Sequence, residues 1–385
     1  MDFVAYKMLV GDRAKYLGII LGVAFASLLI TQQAGIFVGL MARTYGAISD
    51  LGYPDVWVME EKVQFIDDVK PMPQTALQRV RGVPGVEWAV PLYRGLLKAR
   101  LDDGNYQACF VTGLDDESLV GGPPEMLEGS LKDLRQADAV IVNDVGANGM
   151  LAKTGKDGKK VPLRVGDTIE LNFHRAKVVG ICRVGRSFNS QPAIFTTYSR
   201  ATTFAPAEQY LLSFVLVKAQ PGVDPAELCR RIREHTDGRY GAYTRQQFEQ
   251  KTYNYFFENT GIPINFGISV ALGFLVGVAI AGQTFYQFTL ENLKHFGALK
   301  AMGAGTGTLL RMIFVQAVVV GVIGYGLGVG AASLFGFITR NTELSFVLPG
   351  WLLVGTGGAV LLISVGASLL SMWKVFRLEP AIVFK

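Results

Sequence analysis

Charged side chains are scarce in this 385-residue chain and are absent altogether from four long stretches. Asp, Glu, Lys and Arg together make up 18% of the residues, below the quarter that is usual in soluble domains. The uncharged stretches are Tyr16–Ala42, Gly261–Leu290, Met312–Thr339 and Ser345–Trp373. Each is longer than the about 20 apolar residues that a helix needs to cross a bilayer. The shortage of charge therefore excludes a wholly soluble protein and predicts four membrane-spanning helices.

Because these stretches lack any carboxylate or base, they argue against ion-coupled transport and against a polar channel. Their larger polar side chains are uncharged amides, for which we predict hydrogen bonds between helices: Gln32, Gln33, Gln283, Gln287 and Gln316.

Histidine and cysteine are equally scarce, with three of each. His174, His235 and His295 share no metal-ligand spacing, and no Cys-x-x-Cys is present, which argues against a zinc site. Cys109, Cys182 and Cys229 all lie between the first two spans. An odd number leaves at least one thiol unpaired in a monomer. An oxidising compartment would permit a Cys109–Cys182 bridge, but we favour three buried thiols that act as small hydrophobic residues.

Nucleotide-binding and hydrolase motifs are missing as well. Gly155-Lys156-Asp157 and Gly158-Lys159-Lys160 look like pieces of a phosphate loop, but neither has the earlier glycine or the following Ser/Thr. No Gly-x-Ser-x-Gly elbow occurs. We therefore predict a solvated hairpin tip here, and no catalytic, cofactor-binding or metal-binding residues.

Basic residues flank the spans unevenly. Lysine and arginine precede span 1, lie between spans 2 and 3 and follow span 4, whereas the loop between spans 3 and 4 has Arg340 alone. The positive-inside rule then places both termini in the cytosol, and the net charge of +5 needs no nucleic acid to explain it. Span 1 is too long for the apolar core of a cleaved signal peptide. The predicted order is a cytosolic segment (1–15), span 1 (16–42), an external domain (43–260), span 2 (261–290), a cytosolic loop (291–311), spans 3 and 4 (312–339 and 345–373) and a cytosolic C-terminus (374–385).

The external segment 43–260 alternates between strand-like and helix-like patterns. Strands are predicted at 55–60, 86–101 (interrupted by Pro91), 106–112, 138–142, 168–173, 176–181, 193–197 and 213–218, and helices at 74–81 and 224–234. Asp102-Asp103-Gly104-Asn105 has the composition of a hairpin turn. This pattern predicts an α+β domain with a mostly β insert at about 125–205.

Small residues recur at a spacing of four in the spans, which lets helices approach closely. The pairs are Gly18/Gly22, Gly35/Gly39, Gly273/Gly277, Gly324/Gly328 and Gly326/Gly330. Packing inside one bundle and packing between two subunits are both compatible with this spacing.

The loop after span 2 is short, basic and partly apolar. We predict a helix over 291–302 that ends at Gly303 in a left-handed cap. Leu293, Phe296 and Leu299 recur on related turns, and Lys294 and Lys300 could face acidic partner groups or lipid phosphates. The simpler alternative is a loop that is basic only because it is cytosolic.

An aromatic stripe precedes span 2. It consists of Phe248, Tyr253, Tyr255, Phe256 and Phe257, spaced for one broad helix face. We predict a stalk helix that leads into span 2 and packs near Tyr45, with a break at Gly261 and Pro263. The alternative is an amphipathic helix that covers the external domain or lies on the membrane surface.

The order of one span, a large external domain and three further spans resembles that of MacB/FtsX-type (type VII) ABC transporter permeases. Leu299-Lys300-Ala301-Met302-Gly303-Ala304 is similar to the family's Leu-Arg-Ala-Leu-Gly-Ala coupling segment, and Arg377-Leu378-Glu379-Pro380-Ala381 to its closing motif. Val165–Ile169 followed by Val178–Ile181 looks like its external β insert. Gly22–Ala26 with Gln33 looks most like the DevC branch. The chain departs from the family's Glu-Ile-Gly, because it has His295-Phe296-Gly297 and its acid, Glu291, lies earlier.

The resemblance implies a dimeric permease of the bacterial inner membrane. ATP and Mg would be bound by a separate ABC ATPase, which would move the external domain by mechanotransmission. An adaptor and an outer-membrane duct would complete an exporter for lipid, glycolipid or drug-like cargo. Alternatives are a lipoprotein-releasing permease, a division-type regulator of cell-wall hydrolases, and a membrane-anchored receptor or enzyme. The residues that would couple to the ATPase are Glu291, Leu293, Lys294, His295, Phe296, Leu299, Lys300, Met302 and Gly303.

Overall fold

The computed structural model describes residues 2–11, 13–155, 159–340, 342 and 344–376, and it gives no side-chain description for residues 2, 14 and 370–376. The motif at 377–381, Lys385, and Lys156 and Asp157 of the predicted hairpin tip lie outside these residues. The chain forms two compact units: a helical unit of Met1–Leu40 with Gly261–Lys385, and an inserted domain of Met41–Thr260.

Ten α-helices are described. They are α1 (Asp2–Gly11), α2 (Arg13–Asp50), α3 (Thr75–Arg81), α4 (Tyr198–Phe204), α5 (Pro225–His235), α6 (Arg245–Asn259), α7 (Ile262–Glu291), α8 (Leu293–Ala301), α9 (Thr306–Thr339) and α10 (Gly350–Phe376). Helices α2, α7, α9 and α10 are long and apolar enough to cross a membrane, as the uncharged stretches predict.

Three of these helices differ in extent from the predicted spans. α9 begins at Thr306 and not at Met312, so it includes Arg311 and part of the predicted cytosolic loop. α2 continues past Ala42 as far as Asp50, because its last two turns pack in the inserted domain and are not stopped by the charge of Arg43. α10 begins at Gly350 and not at Ser345. Residues 344–349 are non-helical, and Pro349 suits a position at the start of a helix.

Most of the predicted glycine pairs lie at close contacts inside the helical unit. An added Cβ on Gly277 would lie 2.5 Å from the Cβ of Ala26, and one on Gly324 would lie 2.7 Å from Val23. Five of the predicted glycines thus meet a facing helix: Gly22, Gly273, Gly277, Gly324 and Gly328. Gly35 and Gly39 instead meet Phe346 and Ser345 of the segment before α10, and Gly18, Gly326 and Gly330 have no neighbour within 4 Å of an added Cβ.

The inserted domain is built on one mixed sheet of ten strands in the order β14-β1-β13-β3-β4-β11-β6-β10-β5, with β9 beside β10 and β3. The strands are β1 (Val56–Glu60), β2 (Met72–Pro73), β3 (Val86–Arg100), β4 (Tyr106–Leu114), β5 (Glu125–Glu128), β6 (Ala139–Asn143), β7 (Lys153–Thr154), β8 (Lys160–Val161), β9 (Thr168–Leu171), β10 (His174–Arg183), β11 (Ala193–Thr197), β12 (Leu211–Leu212), β13 (Phe214–Ala219) and β14 (Tyr240–Thr244). Strands β2 and β12 form one small ladder, and β7 and β8 form another around the predicted hairpin tip.

Strand β3 joins the two halves of the sheet. Its first half pairs with β13 and its second half pairs with β4 across the predicted Asp102–Asn105 turn. The interruption expected at Pro91 does not occur, since Pro91 lies in β3 opposite Val215. The dihedral of proline suits extended backbone, and its one missing N–H does not end the strand. Five of the seven strands between residues 125 and 205, namely β5, β6, β9, β10 and β11, extend the second half of this same sheet.

All three cysteines are free and buried. The interpretation of three buried thiols is therefore confirmed, and the Cys109–Cys182 bridge is not formed. Burial raises the pKa of each thiol to about 12, because a thiolate would lose its hydration there.

A buried ion pair lies at the centre of the domain. Arg94, on β3, is almost wholly buried; its Nη2 lies 2.7 Å from the Asp67 carboxylate, its Nη1 donates to the Thr112 hydroxyl over 3.2 Å, and its guanidinium lies 4.8 Å from the Phe110 ring centroid. Asp67 belongs to the segment between β1 and β2. The pair therefore fixes this segment against the middle of the sheet.

Candidate coupling site

The predicted coupling segment is a helix, α8, that ends as the sequence suggests. It begins at Leu293 and not at Glu291, which is the last residue of α7. Gly303 has a positive φ of 96°, and the following Ala304 N–H bonds to the Leu299 carbonyl. This backbone favours glycine and confirms the predicted left-handed cap.

One face of α8 packs inside the helical unit. Phe296 is fully buried against Met312 and Ile313 of α9 and Ala5 of α1. Leu293 and Leu299 are partly buried against the same cluster. These three apolar side chains therefore hold α8 to its own chain. The expectation that Phe296 couples to the ATPase through its side chain is wrong, because that side chain is fully buried; the coupling roles of the partly buried Leu293 and Leu299 stay predictions.

The opposite face of α8 is exposed. Lys294 and His295 are exposed, and the Met302 side chain, just after the helix, is 76% exposed. Glu291 forms an ion pair with Lys15 of α2, and Lys300 is half-buried. A partner that approaches this face would thus meet Met302 and the Lys294–His295 pair first.

Helix α1 supports α8 from behind, although residues 1–15 are predicted only as a cytosolic segment and not as a helix. The Gln316 side chain of α9 is almost completely buried and donates from Nε2 to the Ala5 carbonyl over 2.8 Å. This bond confirms the predicted interhelical role for that amide. Ala5 and Leu9 are both buried, and their i,i+4 spacing is the signal that could have revealed α1.

The last turns of α2 are anchored in the inserted domain. Ile48, and Leu51 just after the helix, are buried in its core. The Asp50 carboxylate accepts a hydrogen bond from the Gly185 N–H over 2.9 Å, and the Ser49 hydroxyl donates to Glu249 of α6 over 2.8 Å. Apolar and polar contacts therefore both fix the end of α2.

The aromatic stripe of α6 divides between two environments. Phe248 is buried beside Trp57 and Phe214, with ring centroids 5.6 and 5.9 Å away. Tyr255 and Phe256 both pack on Phe65. In contrast, Tyr253 stacks on the half-exposed Phe257. α6 therefore covers the domain core, as the alternative interpretation has it, while Glu249 also bonds to α2 near Tyr45.

The backbone between α6 and α7 is not helical. α6 begins in a Thr244–Gln247 capping box and ends at Asn259. Thr260 is extended, with φ −122° and ψ 154°, and α7 then starts with Pro263 in its first turn. The predicted break at Gly261 and Pro263 is confirmed.

Four apolar helices of membrane-spanning length, with an α+β domain inserted between the first and the second, define a multi-pass membrane protein of 1+3 order. The family model of the MacB-like periplasmic core domain matches residues 16–235, which is more than half of the chain. The model of the FtsX-like permease C-terminal region matches residues 267–380. The chain therefore belongs to the MacB/FtsX-like family of ABC transporter permeases.

Several known proteins are similar to the chain at low identity. An uncharacterized ABC transporter permease of Mycobacterium tuberculosis is 22% identical over 316 residues, covering 82% of this chain and 79% of the relative. The macrolide export ATP-binding/permease protein MacB of Agrobacterium fabrum is 26% identical over 199 residues, which is 49% of this chain and 30% of that protein. The crystal structure of the periplasmic region of MacB from Actinobacillus actinomycetemcomitans covers 55% of this chain and 96% of its own, with a TM-score of 0.36 and 12% identity.

Proposed function

We propose that this permease converts ATP binding and hydrolysis by a separate ABC ATPase in the cytosol into motion of its inserted domain on the other side of the membrane. The observation that carries the proposal is the two-sided environment of α8. Its apolar face is buried against α1 and α9, while Lys294, His295 and Met302 are exposed. A helix that packs on its own chain along one face and is exposed along the other can bind a partner and transmit the movement of that partner.

The contacts of α8 support a rigid receiving unit. Phe296 is enclosed by side chains of α1 and α9, and close-packed interiors transmit strain because they hold few voids. A push on Met302 would therefore displace α8 and the start of α9 together. Lys294 supplies a positive charge for acidic groups on the ATPase, which would itself hold ATP and Mg.

We assign the transmission role to α2 and not to the α6–α7 connection. α2 is one unbroken helix of 38 residues, or about 57 Å at 1.5 Å per residue, and its end is anchored through Ile48 and Asp50. The extended Thr260 interrupts the other connection. α2 would act as a rigid rod that transmits movement, and the α6–α7 connection would act as a flexible tether.

The remaining features of the proposal follow from the family resemblance and the charge pattern. The basic flanks support cytosolic termini in a bacterial inner membrane. In α7, 17% of the most apolar stretch is buried within the chain, against 50% in α2. The remaining surface of α7 is suited to contact lipid and a second copy of the chain. An adaptor and an outer-membrane duct, as in the DevC-like branch, would complete an exporter.

Copurification with the ATPase tests the docking surface. Met302→Asp should abolish or strongly reduce copurification and ATP hydrolysis by the complex, because it places an unpaired charge in the contact. The matched control is Leu344→Asp, which makes the same kind of change at an exposed residue of the loop between spans 3 and 4. Equal ATPase binding by both folded variants would exclude this surface.

A further inference from the structure

A cavity of about 550 Å³ opens on the inserted domain between the β3–β4 turn, β7 and the β9–β10 hairpin. Its volume lies in the range of small-molecule sites, roughly 300–1,000 Å³. The buried side chains of Leu151, Leu163 and Ile169 contribute an apolar floor. The coupling machinery described above includes none of these residues.

Three cations, Arg100, Lys153 and Arg175, and two carboxylates, Asp102 and Glu170, line the same cavity. Arg100 pairs with Glu170 at 3.6 Å, and Lys153 pairs with Asp167 at 2.5 Å. Glu170 lies opposite Arg175 in the β9–β10 ladder, but its carboxylate is engaged by Arg100. Within the described part of the chain Arg175 makes no ion pair, so its exposed guanidinium remains available for an anion at the cavity. Arginine matches carboxylate and phosphate geometry with two parallel N–H donors.

A phenylalanine, Phe173, lies at the mouth of the cavity, in a turn whose backbone favours glycine. Asn172 and Phe173 form the two-residue turn between β9 and β10 and have φ values of 46° and 69°. Such turns favour Asn-Gly, and a bulky residue at positive φ is a conformational outlier. Asn172 is explained by its side-chain bond to the Phe204 carbonyl. Phe173 is 74% exposed, and its ring makes an edge contact with Tyr106 at 6.3 Å.

We infer that this cavity binds a single-chain amphiphile with an anionic headgroup. The carboxylate or phosphate of the ligand contacts Arg175. Its alkyl chain lies on Leu151, Leu163 and Ile169, and Phe173 covers the chain at the mouth. A role as a hydrophobic cover explains why a turn position suited to glycine holds an exposed aromatic ring, since strained backbone is retained where a site uses it. Binding at this cavity requires neither the ATPase nor its docking surface.

Photolabelling of the full chain in nanodiscs of zwitterionic lipid tests the site, with a diazirine-bearing dodecanoate as the probe. Mass spectrometry should map saturable labelling to peptides that contain residues 151–175. Unlabelled dodecanoate and dodecyl phosphate should compete, and their relative strength identifies the preferred headgroup. Dodecyltrimethylammonium, which has the same chain and the opposite charge, should not compete. Equal competition by this cation, or labelling only outside the cavity, would overturn the inference.

Two cavity variants and one control variant separate binding from folding. Arg175→Gln should raise the half-saturating probe concentration about tenfold or more, since it removes a charge-assisted contact. Arg183→Gln, on the same strand but outside the cavity and paired with Glu125, should leave it unchanged. Phe173→Gly should reduce labelling at least about fivefold while the melting temperature stays the same or rises, because glycine suits the turn. A lower melting temperature for Phe173→Gly, or unaltered labelling in both Arg175→Gln and Phe173→Gly, would contradict the assignment.

Discussion

The side-chain amide of Gln316 donates a hydrogen bond to the main-chain carbonyl of Ala5 across 2.8 Å. The two residues are 311 positions apart, so this bond ties the first described helix to α9. Because Phe296 of α8 packs on Ala5 and on α9, the bond also stabilises the support of the coupling helix. Removing it should loosen that support without touching the exposed face of α8.

Gln316→Leu should therefore increase the fraction of molecules in which α1 is detached from α9. A net hydrogen bond contributes about 1 kcal/mol, which corresponds to about a fivefold change in an equilibrium. We expect a cysteine placed at Ala5, which is fully buried, to react with maleimide about five times faster in the Gln316→Leu background. Gln283→Leu is the matched control, because Gln283 is an exposed span amide. The same labelling rate in both backgrounds would show that α1 is held without the Gln316 bond.

Linker insertions distinguish a rod from a tether. Gly-Gly-Ser-Gly inserted after Thr44 in α2 should leave ATP hydrolysis largely intact and lower export at least about tenfold, since glycines weaken a helix by about 1 kcal/mol each. The same linker after Asn259 should be tolerated, because the backbone is already interrupted at Thr260. Four alanines after Thr44 preserve the helix and serve as the control for added length. Export that fails after Asn259 and survives after Thr44 would reverse the roles of the two connections.

Cysteine labelling tests the orientation. In a cysteine-free background, a cysteine at the exposed Glu117 of the inserted domain should react with an impermeant maleimide in spheroplasts. A cysteine at Met302 should react only after the membrane is permeabilised. The reason is the excess of lysine and arginine around α8 and before span 1. Reaction at Met302 in intact spheroplasts would place the coupling segment on the wrong side for a cytosolic ATPase.

Removing one partner of the Arg94–Asp67 pair should destabilise the inserted domain more than removing both. Asp67→Ala leaves a buried guanidinium without its counter-charge, and we expect a loss of about 3 kcal/mol in the stability of the inserted domain. The double variant Arg94→Met with Asp67→Ala should recover most of that loss. Thermal unfolding of the purified full chain, followed with a thiol-reactive dye that reports exposure of the three buried cysteines of the inserted domain, measures both. A double variant as unstable as Asp67→Ala would show that the charge is not the cause.

Features set by local composition could be predicted from the sequence. The four long helices follow from stretches without charge, the β3–β4 turn from Asp102–Asn105, and the end of α8 from Gly303. Each depends on neighbouring residues and on a strong physical constraint, such as the cost of charge in a membrane or of positive φ outside glycine.

Features set by distant partners could not be predicted. The spacing of Leu293, Phe296 and Leu299 indicates an apolar helix face, but only the fold shows that α1 and α9 cover it. α2 continues beyond Arg43 because Ile48 packs in the core of the inserted domain. The cavity brings together Arg100, Ile169 and Arg175 from separate strands. The sequence around each of these residues does not indicate that the fold brings them together.

Strand β3 has a consequence for how the inserted domain folds. Its 15 residues supply pairing edges to both halves of the sheet, so neither half is complete without it. A truncated chain that ends within β3 would leave unpaired backbone groups along a sheet edge, which invites aggregation. The two halves should therefore unfold in one cooperative transition, and native-state hydrogen exchange should give their central amides similar opening free energies.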